Sequence, residues 1–184
     1  MLFRNTASQY GGITKTFHWV MAAAIIALLA IGLYMSDLEA IPLKKELIGI
    51  HKSLGVCVLF AAVLRMLWHL VSPKPSPLPN LHLWEKYLGK TLQFFFYAAM
   101  LAMPLSGWAM SSAAGFPVGV FGLFTLPPLL SPDKEKLEIL KEFHGVAGNI
   151  LLYAVGLHAA GALKHAILNK DATLKRMLPF GRGE

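Results

Sequence analysis

The stretch Phe143–His165, FHGVAGNILLYAVGLHAAGALKH, decides the fold. It carries no Asp, Glu, Lys or Arg between Phe143 and Leu163, and an apolar run of about 20 residues spans a bilayer as a helix. Its histidines His144 and His158 are fourteen residues apart, which in a helix places them on one face, about 21 Å apart along the axis. Polar side chains at membrane depth are costly and usually functional. The pattern therefore predicts two cofactors stacked across the membrane, each completed by a second histidine.

The composition indicates a membrane protein. Of the 184 residues, 55% are hydrophobic and 15% are charged, and the mean hydropathy is +0.54. Soluble domains are about 25% charged, so we predict an all-α integral membrane four-helix bundle that forms one domain over residues 1–184. The net charge of +7 is explained by the Lys and Arg excess of cytoplasmic loops, and we predict no nucleic-acid partner. The single Cys57 excludes an internal disulfide and a multi-cysteine iron–sulfur site.

Four apolar runs predict four membrane-spanning helices. They cover about residues 16–35, 51–71, 91–114 and 144–165. We interpret the first run as an uncleaved helix and not a signal peptide, because it is about 20 residues long, contains His18 and Trp19, and lacks a clean small-residue cleavage site. Residues 36–50 are expected to form a short amphipathic loop. Residues 115–132, which Gly and Pro interrupt, are expected to form an apolar loop on the membrane surface.

The charge distribution orients the bundle. Four spans place both termini on one side, which we call the inner side, together with the connection between the second and third spans. Including the span ends that face it, the inner side holds eleven of the seventeen Lys and Arg residues and three of the ten acidic residues. Its net charge is therefore +8, against −1 on the outer side. Because cytoplasmic loops are enriched in Lys and Arg, both termini are expected to be cytoplasmic.

With this topology the histidines fall into two levels. His18 and His158 lie towards the inner side, and His51 and His144 lie towards the outer side. A planar macrocycle between two neutral imidazoles is the arrangement of a six-coordinate haem b, so the pairs predict two haems b with these four histidines as metal ligands. The alternative is that the histidines bind zinc or only pack. A reduced-minus-oxidised optical spectrum separates these cases, because bis-imidazole haem has sharp bands that zinc lacks.

Small residues lie one helical turn from each of the four histidines, towards the membrane centre. They are Ala22, Gly55, Gly148 and Ala154. A haem face pressed against a helix needs a small side chain at such a position, and we therefore take Gly55 and Gly148 as haem contacts. The alternative is that small residues are common wherever membrane helices touch.

Two further polar residues are candidates on the inner side. Arg65 lies fourteen residues after the outer histidine of its own helix, and it would either pair with a propionate of the inner haem or extend to lipid phosphates. His165 follows His158 by seven residues, about two helical turns, and could hydrogen-bond a quinone carbonyl. His69 and His82 are interpreted as ordinary interfacial residues.

Several motifs resemble the bacterial cytochrome b561 family. They are FHW at 17–19, IHKSLG at 50–55, MPLSGWAM at 103–110, EFHG…GLHAAGALKH over 142–165, and KDATLKRMLP at 170–179. The resemblance implies a four-helix bundle with two haems in the bacterial inner membrane, and the family's ligands carry over to the four histidines of the two pairs. Family members can carry histidines near the start of the third span, where this chain has Lys90 and Gln93. The four ligands are untouched by this departure.

The same resemblance implies an activity. Superoxide oxidases of this family, or superoxide:ubiquinone oxidoreductases, take electrons from superoxide and pass them to ubiquinone. On this interpretation His165 and Thr16 match positions associated with the inner quinone site. Superoxide would be drawn to the outer haem by Lys52, beside His51, and by Lys44 and Lys45.

A second function is also compatible with the sequence. The chain would then be an electron-transfer subunit that anchors a periplasmic dehydrogenase or hydrogenase, as a partner redox protein, to the quinone pool. Its haems would look the same. The two functions differ in one observation, since a subunit of this kind, purified alone, would fail to reduce quinone with superoxide.

Overall fold

The fold is built from four long helices. The computed structural model describes residues 3–78 and 81–181. In chain order the elements are α1 (Gly12–Asp37), α2 (Pro42–Val71), α3 (Leu83–Ala113), β1 (Val118–Val120), β2 (Phe124–Leu126), α4 (Lys134–Lys164), a π-helical turn (His165–Asn169) and α5 (Thr173–Met177). Within the described residues, α1 to α4 are long and apolar enough to cross a membrane. Arg182 and Glu184, which contribute to the charge count, lie outside the described residues.

All four helices begin before the predicted apolar spans. α2 begins at Pro42, so the prediction of a loop over 36–50 is wrong for most of that stretch. Proline is favoured in the first helical turn, where its missing N–H has no helical partner to lose. α4 begins at Lys134, and the side chain of Asp133 caps it by accepting a hydrogen bond from a backbone N–H of the first turn. Both outer histidines therefore lie inside continuous helices, which fixes the direction of their side chains.

The helices pack in chain order. α1 lies along α2, α2 along α3 and α3 along α4, whereas α4 makes few close backbone approaches to α1 or α2. A small core between α1, α2 and α3 contains Met21, Val58, Ala62 and Met100, each at most 7% exposed. Many other large apolar side chains of the helices are exposed, as expected where lipid tails surround the bundle.

Hydrogen bonds close the inner side of the bundle. Asn5 Oδ1 accepts hydrogen bonds from the Gly11 N–H and the Thr14 hydroxyl, both at 2.8 Å. Asn5 Nδ2 donates to the Pro73 carbonyl at 2.9 Å, and the Trp68 indole N–H donates to the Thr14 hydroxyl at 2.9 Å. These bonds tie the N-terminal segment to the start of α1 and to the end of α2.

The C-terminal segment is tied to the same side. Lys15 Nζ donates to the Gly181 carbonyl and the Trp19 indole N–H donates to the Met177 carbonyl, both at 2.8 Å. The N-terminal segment, the connection after α2 and the C-terminal segment therefore form one layer. An even number of spanning helices requires this arrangement.

The connection from α3 to α4 contains a β-hairpin on the outer side. β1 pairs with β2 in antiparallel register, with Val120 opposite Phe124. The turn between them holds Phe121 and Gly122 in the left-handed region, at φ 48° and 73°, which glycine adopts easily and phenylalanine does not. The sequence pattern predicts an apolar loop over 115–132. Strands of three residues are too short to show a clear alternation of polar and apolar positions, so the sequence pattern did not reveal them.

The hairpin packs against α2. Val118 and Val120 are buried in a cluster with Val56 of α2. The Ser53 hydroxyl accepts a hydrogen bond from the Phe121 N–H at 3.0 Å. The hairpin therefore covers the part of α2 that carries His51.

Ala62→Leu tests the packing of α1, α2 and α3. Ala62 is 0% exposed, so a larger side chain must displace its neighbours, and we expect a loss of about 1–3 kcal/mol of stability. The measurement is the thermal unfolding midpoint of the detergent-solubilised protein. Ala160→Leu, at an exposed position of α4, is the control and should leave the midpoint unchanged. An equal shift in the two variants would contradict the packing described here.

Candidate functional site

Two pairs of histidine rings lie close together between the helices; His18, His51 and His144 are half-buried and His158 is exposed. The ring centroids of His18 and His158 are 6.1 Å apart, with an interplanar angle of 58°. Those of His51 and His144 are 6.3 Å apart, at 70°. α4 supplies one ring to each pair, and α1 and α2 supply the others. The structure thus brings together the histidines that the sequence assigns to each level.

These separations match those of two imidazoles bound to one metal. An imidazole nitrogen binds a first-row metal at about 2.0–2.1 Å, and the ring centroid lies about 1.1 Å behind it, so two axial rings have centroids about 6.3 Å apart. In the described part of the chain, no group of three or more His, Cys, Asp or Glu could hold a metal ion, whereas structural zinc takes four protein ligands. Two-histidine sites fit a metal whose remaining ligands come from a macrocycle.

The arrangement of the helices also suits a flat group between each pair of rings. α4 packs closely on α3 but not on α1 or α2, and each pair joins α4 to one of those more distant helices. A Cβ on Gly55 would have no atom within 4 Å, and one on Gly148 would meet only the Met103 methyl group at 3.7 Å. Ala154 is buried and Ala22 is half-buried. Both glycines predicted as haem contacts therefore stand where a flat group could approach the helix backbone.

Two neighbours on α3 hold His144. Ser106 Oγ lies 2.9 Å from His144 Nδ1, and the Ser106 hydroxyl donates to the Met103 carbonyl at 2.9 Å. A Cβ on Gly107 would lie 3.3 Å from His144 Cε1, so glycine at this position lets the ring approach α3. Sequence analysis missed both neighbours, because the motif MPLSGWAM contains them but does not show which histidine they face.

The other three rings have mainly apolar surroundings. A Cβ on Gly32 of α1 would lie 3.4 Å from His51 Cε1, and His51 Nδ1 is buried without a hydrogen-bond partner among the described residues. At the inner level, the Trp19 ring lies edge-on to the His18 ring, with centroids 5.3 Å apart. The Phe96 ring lies edge-on to the His158 ring, with centroids 5.4 Å apart. Apolar neighbours limit solvent access to a metal site, but at the inner level they cover the rings only in part, because His158 and Trp19 are exposed.

Arg65 belongs to a polar cluster near the inner pair. Its guanidinium lies 5.8 Å from the centroid of the Tyr97 ring, and His69 meets the same ring edge-on at 6.0 Å. Arg65 Nε, the Tyr97 hydroxyl and both ring nitrogens of His69 are buried without hydrogen-bond partners in the described part of the chain. Buried unpaired polar atoms are rare. The guanidinium, the hydroxyl and one ring N–H of this cluster are donors that fit an acidic group such as a propionate. The interpretation of His69 as an ordinary interfacial residue did not anticipate this cluster, in which α2 directs the His69 ring towards Tyr97.

His165 lies in the π-helical turn that follows α4. Its Nδ1 is 2.6 Å from Asp171 Oδ2 and 3.1 Å from Asn169 Nδ2. Among the described residues, no hydrogen bond joins it to Thr16, which is exposed on α1. Burial raises the pKa of the Asp171 carboxyl, but hydrogen bonds from Thr173 and His165 outweigh burial and hold that pKa below its ordinary value. Asp171 is therefore a carboxylate at neutral pH and accepts the His165 Nδ1–H.

A charged network ties the start of α3 to the end of α4. The side chain of Glu85 is 4% exposed and forms an ion pair with Lys164, whose Nζ also lies 5.1 Å from the centroid of the Trp84 ring. Asn169 Nδ2 donates to the Glu85 carboxylate at 3.4 Å. Sequence analysis missed this network, since its only signal was an acidic residue in the first turn of α3 and a basic residue in the last turn of α4.

Lys52 lies beneath the hairpin on the outer side. Its Nζ donates to the Ser111 hydroxyl at 2.6 Å and lies 5.9 Å from the centroid of the Phe116 ring. Together with Lys45, it lines a groove of about 610 Å³ between the start of α2 and the hairpin. Lys44 donates to a backbone carbonyl at the end of α1. The cation predicted to draw superoxide is therefore partly buried beside His51 and does not extend freely into solvent.

The chain is similar to known membrane cytochromes. The family described as prokaryotic cytochrome b561 matches residues 9–180. Cytochrome b561 homolog 2 of Escherichia coli K12 is 33% identical over 180 residues, which cover 97% of this chain and 95% of that protein. The probable superoxide oxidase CybB of Yersinia pestis is 31% identical over 73% of this chain and 76% of its own length. Cytochrome b561 homolog 1 of Escherichia coli K12 is 29% identical, over 70% and 73%.

The family match covers all four long helices and all four paired histidines. It confirms the resemblance predicted from the motifs, and the four helices confirm the predicted all-α membrane fold. The cofactor of a b-type cytochrome is haem b, and the paired imidazoles provide axial ligands of the kind it takes. The chain is a membrane electron carrier that belongs to the prokaryotic cytochrome b561 family.

Proposed function

We propose that this chain binds two haems b and carries electrons across the bacterial inner membrane, from superoxide on the outer side to ubiquinone on the inner side. The observation that carries the proposal is the pair of facing histidines at each level, with ring centroids 6.1 and 6.3 Å apart. His18 and His158 would hold the inner haem, and His51 and His144 the outer one. Each haem supplies a reversible one-electron centre.

The inner haem has further contacts in this proposal. Arg65 would pair with one of its propionates, and the buried hydroxyl of Tyr97 and ring of His69 would provide additional hydrogen-bond donors. Charge-assisted hydrogen bonds of this kind are stronger than neutral ones. Gly55 and Gly148 would contact the haem faces, because neither backbone position is covered by a bulky side chain.

Superoxide would react at the outer side without binding iron. Two imidazoles fill both axial positions, so an electron can leave superoxide only at the edge of the cofactor. Lys52 and Lys45 line the groove beside the start of α2, and local positive charge raises the concentration of a small anion. Two superoxide anions would give two electrons and leave as two molecules of oxygen.

Ubiquinone would accept these two electrons, together with two protons, at the inner side. Asp171 accepts the Nδ1–H of His165. In the imidazolium form His165 also carries a proton on Nε2 and would donate it to a quinone carbonyl, whereas in the neutral form Nε2 would accept a hydrogen bond from a quinol hydroxyl. Thr16 is exposed on α1 and would offer its hydroxyl to the same ligand. The excess of Lys and Arg on this side, with a net charge of +8 against −1, supports a cytoplasmic location for both termini.

The choice of superoxide as donor is supported by one relative, the probable superoxide oxidase CybB of Yersinia pestis, at 31% identity. A second candidate function is supported by the outer surface. Phe116, Phe121 and Leu123 of the hairpin region are 66%, 57% and 81% exposed, and large exposed apolar side chains can mark an interaction site. A periplasmic dehydrogenase or hydrogenase docked there would make the chain its membrane anchor.

Removing one ligand from each level tests the haem assignment. His144→Ala should lose the outer haem and His158→Ala the inner one, each leaving about half of the haem absorbance, because one imidazole alone holds the ring weakly. The measurement is the reduced-minus-oxidised spectrum with the haem-to-protein ratio. His82→Ala, at an exposed position before α3, is the control and should keep the parent spectrum. If alanine at a paired histidine leaves both haems with unaltered ligation, the assignment is wrong.

Stopped-flow mixing of the purified protein with superoxide and ubiquinone tests the donor. Lys52→Glu should slow haem reduction by about tenfold at low salt and weaken its salt dependence, because a local cation that attracts superoxide becomes an anion. Lys134→Glu makes the same charge change at an exposed position in the first turn of α4, about 15 Å from His144 along the helix, and should have a much smaller effect. Failure of the parent protein to reduce quinone with superoxide would favour the anchor function.

Asp171→Asn tests the quinone end separately. The amide cannot hold His165 as a carboxylate does, so quinol formation should fall about 10-fold or more, the size of effect typical of a positioned acid–base group. Haem reduction by superoxide in the absence of quinone should stay unchanged, because this change lies on the inner side. Asp133→Asn, in the outer connection before α4, is the control. Equal quinol formation in the parent and Asp171→Asn proteins would remove His165 and Asp171 from the quinone site.

A further inference from the structure

The hydrogen bond between Ser106 and His144 distinguishes the outer pair from the inner pair. Ser106 is 7% exposed, and its hydroxyl oxygen lies 2.9 Å from both the Met103 carbonyl and His144 Nδ1. In the proposed site His144 binds the metal through Nε2, so the neutral ring carries its proton on Nδ1. The Ser106 hydroxyl then accepts the Nδ1–H hydrogen bond and donates its own proton to the Met103 carbonyl.

We propose that Ser106 is a positioning residue that fixes the tautomer and orientation of His144 and makes the outer haem the centre of lower reduction potential. The inference rests on the proposed assignment of His144 as a ligand of the outer haem. The difference in reduction potential would set the direction of electron transfer between the two haems. Neither the sequence nor the identity of the four ligands determines that direction. Electrons would then pass downhill from the outer haem to the inner haem.

A hydrogen bond at Nδ1 increases the electron donation of a ligating imidazole. When an acceptor holds the Nδ1–H, the ring becomes more basic and binds the metal more strongly through Nε2. A stronger donor stabilises ferric over ferrous iron, which lowers the reduction potential of that haem. Hydrogen bonding around the axial ligand is one of the few means by which a protein tunes this potential.

Within the described part of the chain, no side chain hydrogen-bonds a ring nitrogen of the other three paired histidines. His51 Nδ1 is buried without a partner at normal hydrogen-bond geometry, although the Leu28 backbone lies near its ring. The rings of His18 and His158 meet the aromatic side chains of Trp19 and Phe96. The described structure therefore strengthens one imidazole of the outer pair and neither imidazole of the inner pair.

Gly107 supports the same arrangement independently. It follows Ser106 on α3, and a Cβ at this position would lie 3.3 Å from His144 Cε1, closer than most side-chain contacts allow. A side chain at this position would push the ring away from α3 by a few tenths of an ångström and lengthen its 2.9 Å contact with Ser106. One edge of the His144 ring thus faces two features of α3, the Ser106 hydroxyl and the side-chain-free position at Gly107.

Ser106→Ala tests the proposal in the protein loaded with both haems. A potentiometric titration should show the midpoint of the outer haem shifted upward and that of the inner haem unchanged, so the gap between them narrows. The midpoint that is present in the parent protein and missing from the His144→Ala protein is assigned to the outer haem. Electron paramagnetic resonance of the oxidised protein should show altered g values for the outer haem alone, because the donor strength of one ligand has changed.

Two further variants keep the test decisive. Ser106→Thr retains a hydroxyl and should keep the parent midpoints and g values. Ser36→Ala removes a serine that also donates to the carbonyl three residues earlier, at 2.7 Å, but is exposed at the end of α1, and it should change neither haem. If Ser106→Ala loses the outer haem, Ser106→Thr must keep it for the proposal to stand. Unchanged midpoints in Ser106→Ala, with both haems bound, would overturn the proposal while leaving the ligand assignment intact.

Discussion

Imidazole nitrogens in a lipid environment need partners, and this requirement governs the whole structure. Each unsatisfied polar group in the hydrocarbon region costs several kcal/mol. This cost is a large fraction of the net stability of a folded domain. In the proposed arrangement four imidazoles lie at this depth, and each meets a facing ring whose centroid is 6.1 or 6.3 Å away. A metal between two such rings satisfies two nitrogens at once. The proposed cofactors would therefore be structural elements of the bundle as well as electron carriers.

The uneven packing of the helices is compatible with a group between each pair of rings. α3 and α4 lie closely together, while α4 stays apart from α1 and α2. A small apolar core stabilises α1, α2 and α3 against one another, so that α4 completes the bundle largely through α3 and the paired rings. The hydrogen bonds of Asn5 and the ion pair of Glu85 with Lys164 reinforce the inner side. This side would carry the quinone, and it needs a firm framework around an opening for a lipid-soluble ligand.

The sequence predicts much of the fold because its strongest signals are local. Apolar runs of about 20 residues identify spans, and the fourteen-residue interval between His144 and His158 places two side chains on one helix face. Apart from the two histidine pairs, contacts between distant segments were not predictable. Ser106 reads as an ordinary helical serine until α3 and α4 are placed side by side, and His69 near the end of an apolar run resembles an interfacial residue. Helix starts were also placed too late, since charged first turns such as that of α4 lower the local hydropathy without ending the helix.

A single uninterrupted helix, α4, supplies one histidine ring to each level. It therefore fixes the distance and the relative orientation of the two rings that it carries. Adding or deleting one residue between His144 and His158 would turn one ring by about 100° away from its partner and change the spacing by about 1.5 Å. No compensating shift elsewhere could restore both pairs, because the rings of α1 and α2 are anchored separately. Related chains can therefore vary the identity of the intervening side chains, but insertions and deletions should be confined to the segments outside this interval.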